Sequence, residues 1–347
     1  MASLMHHALE RAAARLGDRD AVRAGDEAWS FGDLDGLANA FARHLVARGV
    51  GPGERVAVMT SNRVEFVATV HAISKVGAAA VLLSPAWKAA EVDHALGVSG
   101  PRHAVADGPA TALLAERLGR DAVTDLDDPA TARSLDGHSR SRPGGDEAAD
   151  TDDVVLVFSS GTTGLPKAVR HTHRSIGHAT RHWCAALGLG ADDRFQVATP
   201  PSHILGLLNL LAAAEAGATV RLHRRFDLDE VLRRIATDRI TLEMAVAPIA
   251  LAIANHPRLE DHDLSSLRYI MWGATPVTES VADVVTQRTG VRWLAAYGAS
   301  ELPVIAANPV GDPSAWRLDS AGLPPAGVEL RVADLDTGAV LGPGETG

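Results

Sequence analysis

The chain has 347 residues, a formal net charge of −10 and 46% hydrophobic residues, so it can bury a large core. Its acidic balance argues against nucleic acid or an anionic membrane as the main partner. The single cysteine, Cys184, excludes an intrachain disulfide and predicts a reducing, cytoplasmic location. The first residues lack the apolar core of a signal peptide, and no apolar run reaches the roughly 18 residues that a membrane span needs.

Helical and strand patterns alternate along residues 1–126, which predicts βαβ units and a mainly parallel sheet in a first lobe. The expected helices cover 4–16, 33–48, 64–76 and 88–98, and the expected strands cover 55–59, 79–83 and 103–106. Residues 127–152 are dominated by Asp, Ser, Gly, Pro and Arg. This composition predicts a flexible, solvated linker with its centre at 142–146.

The alternation resumes along residues 153–320, which predicts a second α/β lobe. The expected strands are 154–158, 195–198, 218–222, 241–246, 269–272, 292–295 and 304–307, and the expected helices are 174–187, 204–216, 228–237, 249–255 and 277–289. Unusual residues follow several of these strands, as expected where ligands bind beyond the carboxyl ends of parallel strands. Residues 321–347 predict the start of a β-rich subdomain that is incomplete.

The run 159–167 reads Ser-Ser-Gly-Thr-Thr-Gly-Leu-Pro-Lys and follows five consecutive apolar residues, 154–158. Such a tip offers backbone N–H groups, hydroxyls and one mobile cation, which together suit an oligophosphate. An ordinary hairpin tip is the alternative. A Walker loop is excluded, because Lys167 is followed by a short, β-branched tail that predicts a second strand rather than a helix.

This run closely resembles the phosphate loop of the adenylate-forming superfamily, which contains acyl- and aryl-CoA synthetases, adenylation domains and luciferases. Residues 31–34, Phe-Gly-Asp-Leu after Ser30, and 75–85 are similar to the opening segments of the same fold. The resemblance extends over about residues 5–347. It implies the N-terminal portion of an acyl- or aryl-CoA ligase, with two mainly parallel βαβ lobes and no C-terminal domain.

Two strand ends of the second lobe are candidates for an adenine site. The first is followed by Gly273, and small residues there would let a flat ring lie against the backbone; a tight turn is the alternative. The second is followed by 297–301, Tyr-Gly-Ala-Ser-Glu. Tyr297 can stack on a purine, Ser300 can donate to an anionic oxygen, and Glu301 can hold Mg²⁺. A solvated loop is the alternative here.

The segment 200–206, Pro-Pro-Ser-His-Ile-Leu-Gly, contains a histidine just before an apolar helix. From the residues alone, His203 is better explained as a helix cap than as a carboxylate contact. The resemblance reverses this preference, because CoA ligases carry an aromatic residue or histidine here beside the substrate carboxylate. It also places Leu205, Leu208 and Asn209 along the acyl group.

The resemblance implies that Mg·ATP activates an aryl or medium-chain carboxylate to an acyl-adenylate, whose acyl group then passes to CoA. The implied catalytic residues are Lys167, Ser300, Glu301 and His203, with Glu301 as the Mg²⁺ ligand. The implied ATP contacts are Ser159, Ser160, Gly161, Thr162, Thr163, Gly164, Lys167, Gly273, Ala274, Thr275, Tyr297, Gly298 and Ser300. The implied acyl contacts are His203, Leu205, Leu208, Asn209, Gly273 and Gly298.

Two alternatives stay open. The acceptor thiol is either CoA or the phosphopantetheine of a carrier protein. The second alternative is that the chain is a nucleotide- or acyl-binding module without turnover. This alternative arises because family members continue into a segment with a ribose-binding Asp and a C-terminal domain with a catalytic lysine. No lysine follows Lys167, so we expect the chain to be nearly inactive alone. A homodimer is neither predicted nor excluded.

Four histidines follow the phosphate loop, at 171, 173, 178 and 182. His178 and His182 share a helical face, the spacing of metal ligands. No acidic residue or cysteine is spaced to complete such a site. Hydrogen-bonded or solvated histidines are therefore favoured over a metal centre.

Overall fold

The computed structural model describes residues 3–144, 148–159, 164–273 and 279–347. Its helices are α1 (His7–Leu16), α2 (Phe31–Ala47), α3 (Val64–Lys75), α4 (Ala89–Ser99), α5 (Pro109–Leu118), α6 (Pro129–Gly137), α7 (His173–Leu187), α8 (Ile204–Ala216), α9 (Leu228–Asp238), α10 (Ala247–Ala254) and α11 (Glu279–Thr289). Its strands are β1 (Asp20–Ala24), β2 (Glu27–Ser30), β3 (Arg55–Met59), β4 (Ala79–Leu82), β5 (His103–Ala106), β6 (Val123–Asp125), β7 (Asp153–Ser159), β8 (Lys167–Thr172), β9 (Arg194–Val197), β10 (Thr219–Leu222), β11 (Leu242–Ala245), β12 (Tyr269–Trp272), β13 (Trp293–Tyr297) and β14 (Ala306–Ala307).

These strands form two mainly parallel sheets, which confirms the predicted α/β class. One has the order β6-β5-β3-β4-β7-β8 and the other β14-β13-β12-β11-β9-β10-β1-β2. Only the edge strands β8, β2 and β14 pair antiparallel to their neighbours in the described residues. Helices cover the sheets, so the inner strands are largely apolar; Val154, Val155 and Val157 of β7, for example, are all buried. Gln196 of β9, Arg221 of β10 and Glu243 of β11 are buried polar exceptions.

The two sheets do not correspond to the two predicted lobes, 1–126 and 153–320. Strand β7 pairs in parallel with β4 of the first sheet, and β1 pairs in parallel with β10 of the second. Each sheet therefore contains strands from both sides of the segment 127–152. Strand pairing over such sequence separations leaves no local signal, which is why the division of the chain into lobes misses it.

The segment 127–152, interpreted above as a flexible linker, requires correction in its described part. Asp128 caps α6 by accepting a hydrogen bond from the Ala130 N–H at 2.8 Å, and the helix buries Leu135. The Asn39 amide of α2 donates to the Arg140 carbonyl at 2.9 Å. A helix with a single buried leucine shows no periodic pattern of apolar residues, so the polar sequence of this segment did not predict it. Residues 145–147, which include the last two residues of the expected centre, lie outside the described residues.

Other elements also differ from expectation, among them α5 and β6, which were not predicted. The hairpin β1–β2 was missed because its strands are short and carry charged residues. Helix α2 begins at Phe31 instead of 33, because Ser30 and Asp33 form a capping box. Residues 321–347 form no regular strand in the structure as described. They take part in two isolated pairs of β-bridge residues, Ala307↔Leu323 and Ala333↔Val340. In the described part of the chain, no helix is long and apolar enough to cross a membrane.

Candidate functional site

A cavity of about 540 Å³ opens at the carboxyl ends of β7, β9, β11, β12 and β13. This is the edge at which parallel α/β sheets bind ligands, and the volume suits a small organic molecule. Its lining consists of Phe158, Ser159, Trp183, Thr199, Pro200, His203, Ile204, Leu205, Gly206, Leu208, Val246, Met271, Gly273, Ala296, Tyr297, Gly298, Ala299, Ser300 and Pro303. The floor is apolar and aromatic, and a few polar groups stand around it.

Many of the predicted site residues share this one cavity. They are Ser159, His203, Leu205, Leu208, Gly273, Tyr297, Gly298 and Ser300. Four others do not line it: Gly164, Lys167, Asn209 and Glu301. The remaining predicted ATP contacts, Ser160, Gly161, Thr162, Thr163, Ala274 and Thr275, lie outside the described residues.

His203 occupies the N-cap position of α8, yet its side chain makes no capping hydrogen bond. The ring instead lines the cavity, where partial burial lowers the pKa of His203 below its ordinary value. A neutral imidazole can accept or donate one hydrogen bond at the cavity wall. The geometry therefore favours a ligand contact for this histidine over the helix cap that its sequence position suggests.

Two buried hydroxyls lie in the segment that leads to His203. Thr199 is 8% exposed and Ser202 is 6% exposed, and neither side-chain oxygen has a hydrogen-bond partner among the described residues. Leaving a buried hydroxyl unpaired costs about 1–3 kcal/mol. Because Thr199 also lines the cavity, a polar group of a ligand, or a water beside it, can satisfy its hydroxyl.

The loop after β13 is folded back on itself. The Ala299 N–H donates to the Leu302 carbonyl at 3.0 Å, and a Cβ at Gly298 would collide with the carbonyl oxygen of Pro303. Gly298 is thus required for the close approach of the chain to itself, in addition to any approach of a ligand. Tyr297, 53% exposed, stands at the opening of the cavity with its ring accessible for stacking.

Glu301 is exposed next to Ser300 and makes no ion pair or hydrogen bond with the described residues. A free carboxylate beside a cavity is an oxygen ligand of the type that Mg²⁺ prefers, so this donor fits the implied ion. The buried ring of His171 lies against the same loop. Its Nε2–H donates to the Ser300 carbonyl at 2.8 Å, because a carbonyl can only accept.

Lys167 begins β8 and is exposed, with no partner for its ammonium among the described residues. It lines a second depression with Arg55, His94 and Arg170, separate from the apolar cavity. Gly164 has a φ of +96°, a left-handed conformation that favours glycine. Residues 160–163 lie outside the described residues.

Asn209, predicted as an acyl contact, is fully buried in the core. Its Oδ1 accepts a hydrogen bond from the Trp183 indole at 2.8 Å, and its amide group lies 3.4 Å from the Met244 sulfur. The prediction failed because a buried polar residue must be paired, and here the partner is a core side chain. The indole that Asn209 holds is itself part of the cavity wall.

Sequence reasoning did not find several apolar lining residues. The most prominent are Phe158, Trp183, Val246 and Met271, which sit on elements that were assigned to the core. Phe158 and Met271 lie at or near the carboxyl ends of predicted strands, and this position was the available signal. No sequence signal pointed to Trp183, because its position at the cavity depends on how α7 packs on α8.

Fold and cavity together define an α/β protein with a ligand-sized cavity at the carboxyl ends of its parallel strands. The chain matches the AMP-binding enzyme family over residues 9–347 and belongs to that family. This confirms the resemblance carried by residues 159–167.

Three similar proteins illustrate the relationship. The chain is 33% identical to 4-coumarate--CoA ligase 2 of Oryza sativa subsp. japonica, with 91% of this chain and 61% of that protein covered. It is 33% identical to feruloyl-CoA synthase of an Amycolatopsis species, with 94% and 65% covered. The N-terminal domain of FACL13 from Mycobacterium tuberculosis, solved with an inhibitor, superimposes with a TM-score of 0.88 at 25% identity, covering 97% of this chain and 86% of that one. The chain thus spans less than two thirds of these two curated relatives.

Proposed function

We propose that this chain binds Mg·ATP and a carboxylic acid in the adenylation step of an acid–thiol ligase. The observation that carries the proposal is the cavity itself, in which apolar side chains lie beside residues 297–300 and beside His203, whose side chain makes no capping hydrogen bond. The reaction is attack of the carboxylate on the α-phosphorus of ATP, which forms the acyl-adenylate and releases pyrophosphate. Transfer of the acyl group to CoA, or to a carrier-protein thiol, would follow.

Each residue then has a defined task. Tyr297 and Gly273 hold the adenine, Ser300 donates to the α-phosphate, and His203 contacts the carboxylate. Lys167, with the hydroxyl-rich loop before it, neutralises the β- and γ-phosphates. Glu301 would hold Mg²⁺, which supplies charge neutralisation for the phosphates. The protein contributes positioning and electrostatic stabilisation rather than a nucleophile.

The acid has no α-amino group in this proposal and is aryl or medium-chain acyl. No acidic residue occurs among the described residues that line the cavity. An α-ammonium would therefore be desolvated without a counter-ion, which is costly. The names of two relatives, a 4-coumarate–CoA ligase and a feruloyl-CoA synthase, support an aryl acid.

The test uses two adenylate mimics that differ in one group. 3-Phenylpropanoyl and phenylalanyl sulfamoyl-adenosine are identical except for the α-ammonium of the second compound. We expect the first to bind this chain in a calorimetric titration at least about tenfold more tightly, since an unpaired buried charge costs more than 1.4 kcal/mol. Equal or inverted affinities would reject the substrate class, and failure of both compounds to bind would reject the adenylation function. Calorimetric titration with the sulfamoyl-adenosine mimics of a panel of acids then identifies the substrate class.

A further inference from the structure

His171 links the two sheets at the site. It lies on β8, the edge strand of the six-stranded sheet, and is only 2% exposed. Its Nε2 atom is 2.8 Å from the carbonyl oxygen of Ser300, which follows β13 of the eight-stranded sheet. Residues 129 positions apart in the chain are thus joined by one hydrogen bond at the edge of the cavity.

The protonation state of this ring follows from its partners. The Ser300 group that faces Nε2 is the backbone carbonyl, which can only accept a hydrogen bond, so Nε2 carries the proton. Nδ1 is 3.3 Å from the hydroxyl of Ser175, which can donate to it. Burial lowers the pKa of His171, although the neighbouring charge of Glu301 opposes the shift. The neutral ring with the proton on Nε2 is therefore paired at both nitrogens.

The position of His171 on β8 matters for the nucleotide. Successive side chains of a strand point to opposite faces, so Lys167, Val169 and His171 lie on one face of β8. The strand that starts at the end of the phosphate loop therefore also provides the hydrogen bond to the 297–301 loop. Within the 297–301 loop itself, the described hydrogen bonds are local: Ala299 to Leu302, and Ile305 to Tyr297. They close the turn but do not orient it toward β8.

We infer that His171 is a positioning residue, which fixes the Ser300–Glu301 segment relative to the strand that follows the phosphate loop. This inference rests on the proposed function. It concerns Mg·ATP binding, because the segment that it holds carries the proposed α-phosphate donor and the proposed Mg²⁺ ligand. The cavity residues Trp183, Leu208 and Met271, which we propose contact the acid, are not among the described hydrogen-bond partners of His171.

The test compares His171→Leu, His171→Gln and His44→Leu. Glutamine can donate to the Ser300 carbonyl and leucine cannot. His44 is the matched control, because it is also buried and hydrogen-bonded at both nitrogens, to Ser134 and Thr124, away from the cavity. Mg·ATP affinity is measured by calorimetry, and exchange of the 299–302 amides by mass spectrometry without nucleotide.

We expect His171→Leu to weaken Mg·ATP binding at least tenfold and to speed amide exchange in 299–302. His171→Gln should restore affinity to within about threefold of the wild type. His44→Leu should lower the melting temperature without changing either readout. An unchanged exchange rate in His171→Leu, or an equal loss of affinity in His44→Leu, overturns the inference. A wild-type chain that binds no Mg·ATP rejects the proposed function. The amide-exchange measurement then still decides whether the His171–Ser300 hydrogen bond holds the 299–302 segment in place.

Discussion

The indole N–H of Trp183 donates a 2.8 Å hydrogen bond to Oδ1 of Asn209, and this bond joins α7 to α8 at the wall of the cavity. Asn209 is fully buried and Trp183 is 2% exposed, so no bulk water can replace either partner. The pair therefore connects the stability of the helix pair to the shape of the proposed acid pocket.

Asn209→Leu should reduce the free energy of unfolding by about 1–3 kcal/mol, because it leaves the buried indole N–H unpaired. Trp183→Phe removes the donor, so adding Asn209→Leu to that variant should cost less than it does in the wild type. Urea denaturation of the four proteins gives the coupling energy. Equal costs of Asn209→Leu in both backgrounds would show that the bond contributes nothing.

Lys167 tests the phosphate loop. Lys167→Ala should weaken Mg·ATP binding by on the order of tenfold to a hundredfold, because a charged contact to the phosphates is lost. The melting temperature should not change, since the side chain is exposed and unpaired among the described residues. Lys88→Ala, at an exposed lysine, is the control and should bind Mg·ATP like the wild type. Wild-type affinity in Lys167→Ala would remove this lysine from the site.

Local sequence patterns predicted the elements that build the site. The strand Tyr269–Trp272 and the helix Ile204–Ala216 have the predicted bounds, because an apolar run ending at small residues and a Gly217 in the left-handed conformation mark them clearly. The hairpin of β7 and β8 follows from the β-branched tail after Lys167, and the antiparallel register confirms it.

Long-range relationships could not be predicted in this way. The pairing of β1 with β10, the burial of Asn209 against Trp183, and the bond from His171 to Ser300 each join distant segments. None of them leaves a periodicity in the sequence. Even His203, found by resemblance, needed the structure to show that its ring does not cap α8.

Glu301 tests the metal assignment. Glu301→Gln keeps the size of the side chain but removes the charge, so the Mg²⁺ concentration that supports half-maximal ATP binding should rise steeply. Folding should be unaffected, because the carboxylate is exposed and makes no ion pair with the described residues. Glu329→Gln, another exposed glutamate, provides the control. An unchanged Mg²⁺ titration in Glu301→Gln would place the ion on another ligand.

Glu243 is a fully buried carboxyl on β11 whose Oε2 lies 2.6 Å from the Gln196 amide nitrogen. The other oxygen, Oε1, has no hydrogen-bond partner among the described residues. Gln196 in turn accepts from His223 at 2.9 Å, and burial lowers the pKa of that histidine to about 4. Burial raises the pKa of Glu243 to about 8, so the folded protein holds this proton at neutral pH.

The sign of the pH effect follows from that shift. Between about pH 4.5 and about pH 8 the folded state keeps the proton on Glu243 while the unfolded state has lost it, so this group's stabilisation declines as pH rises, by at most about 1.4 kcal/mol per pH unit. The lowered pKa of His223 acts in the opposite direction below about pH 6.5, so the variant must be compared with the wild type at each pH. Glu243→Gln mimics the protonated carboxyl. It should match the wild type near pH 5 and exceed its free energy of unfolding at pH 8.5 by a few kcal/mol. Glu27→Gln, at an exposed glutamate, should follow the wild type throughout. Denaturant titrations at pH 5, 7 and 8.5 make the comparison, and parallel pH profiles of Glu243→Gln and the wild type would show that Glu243 is ionised in the folded protein.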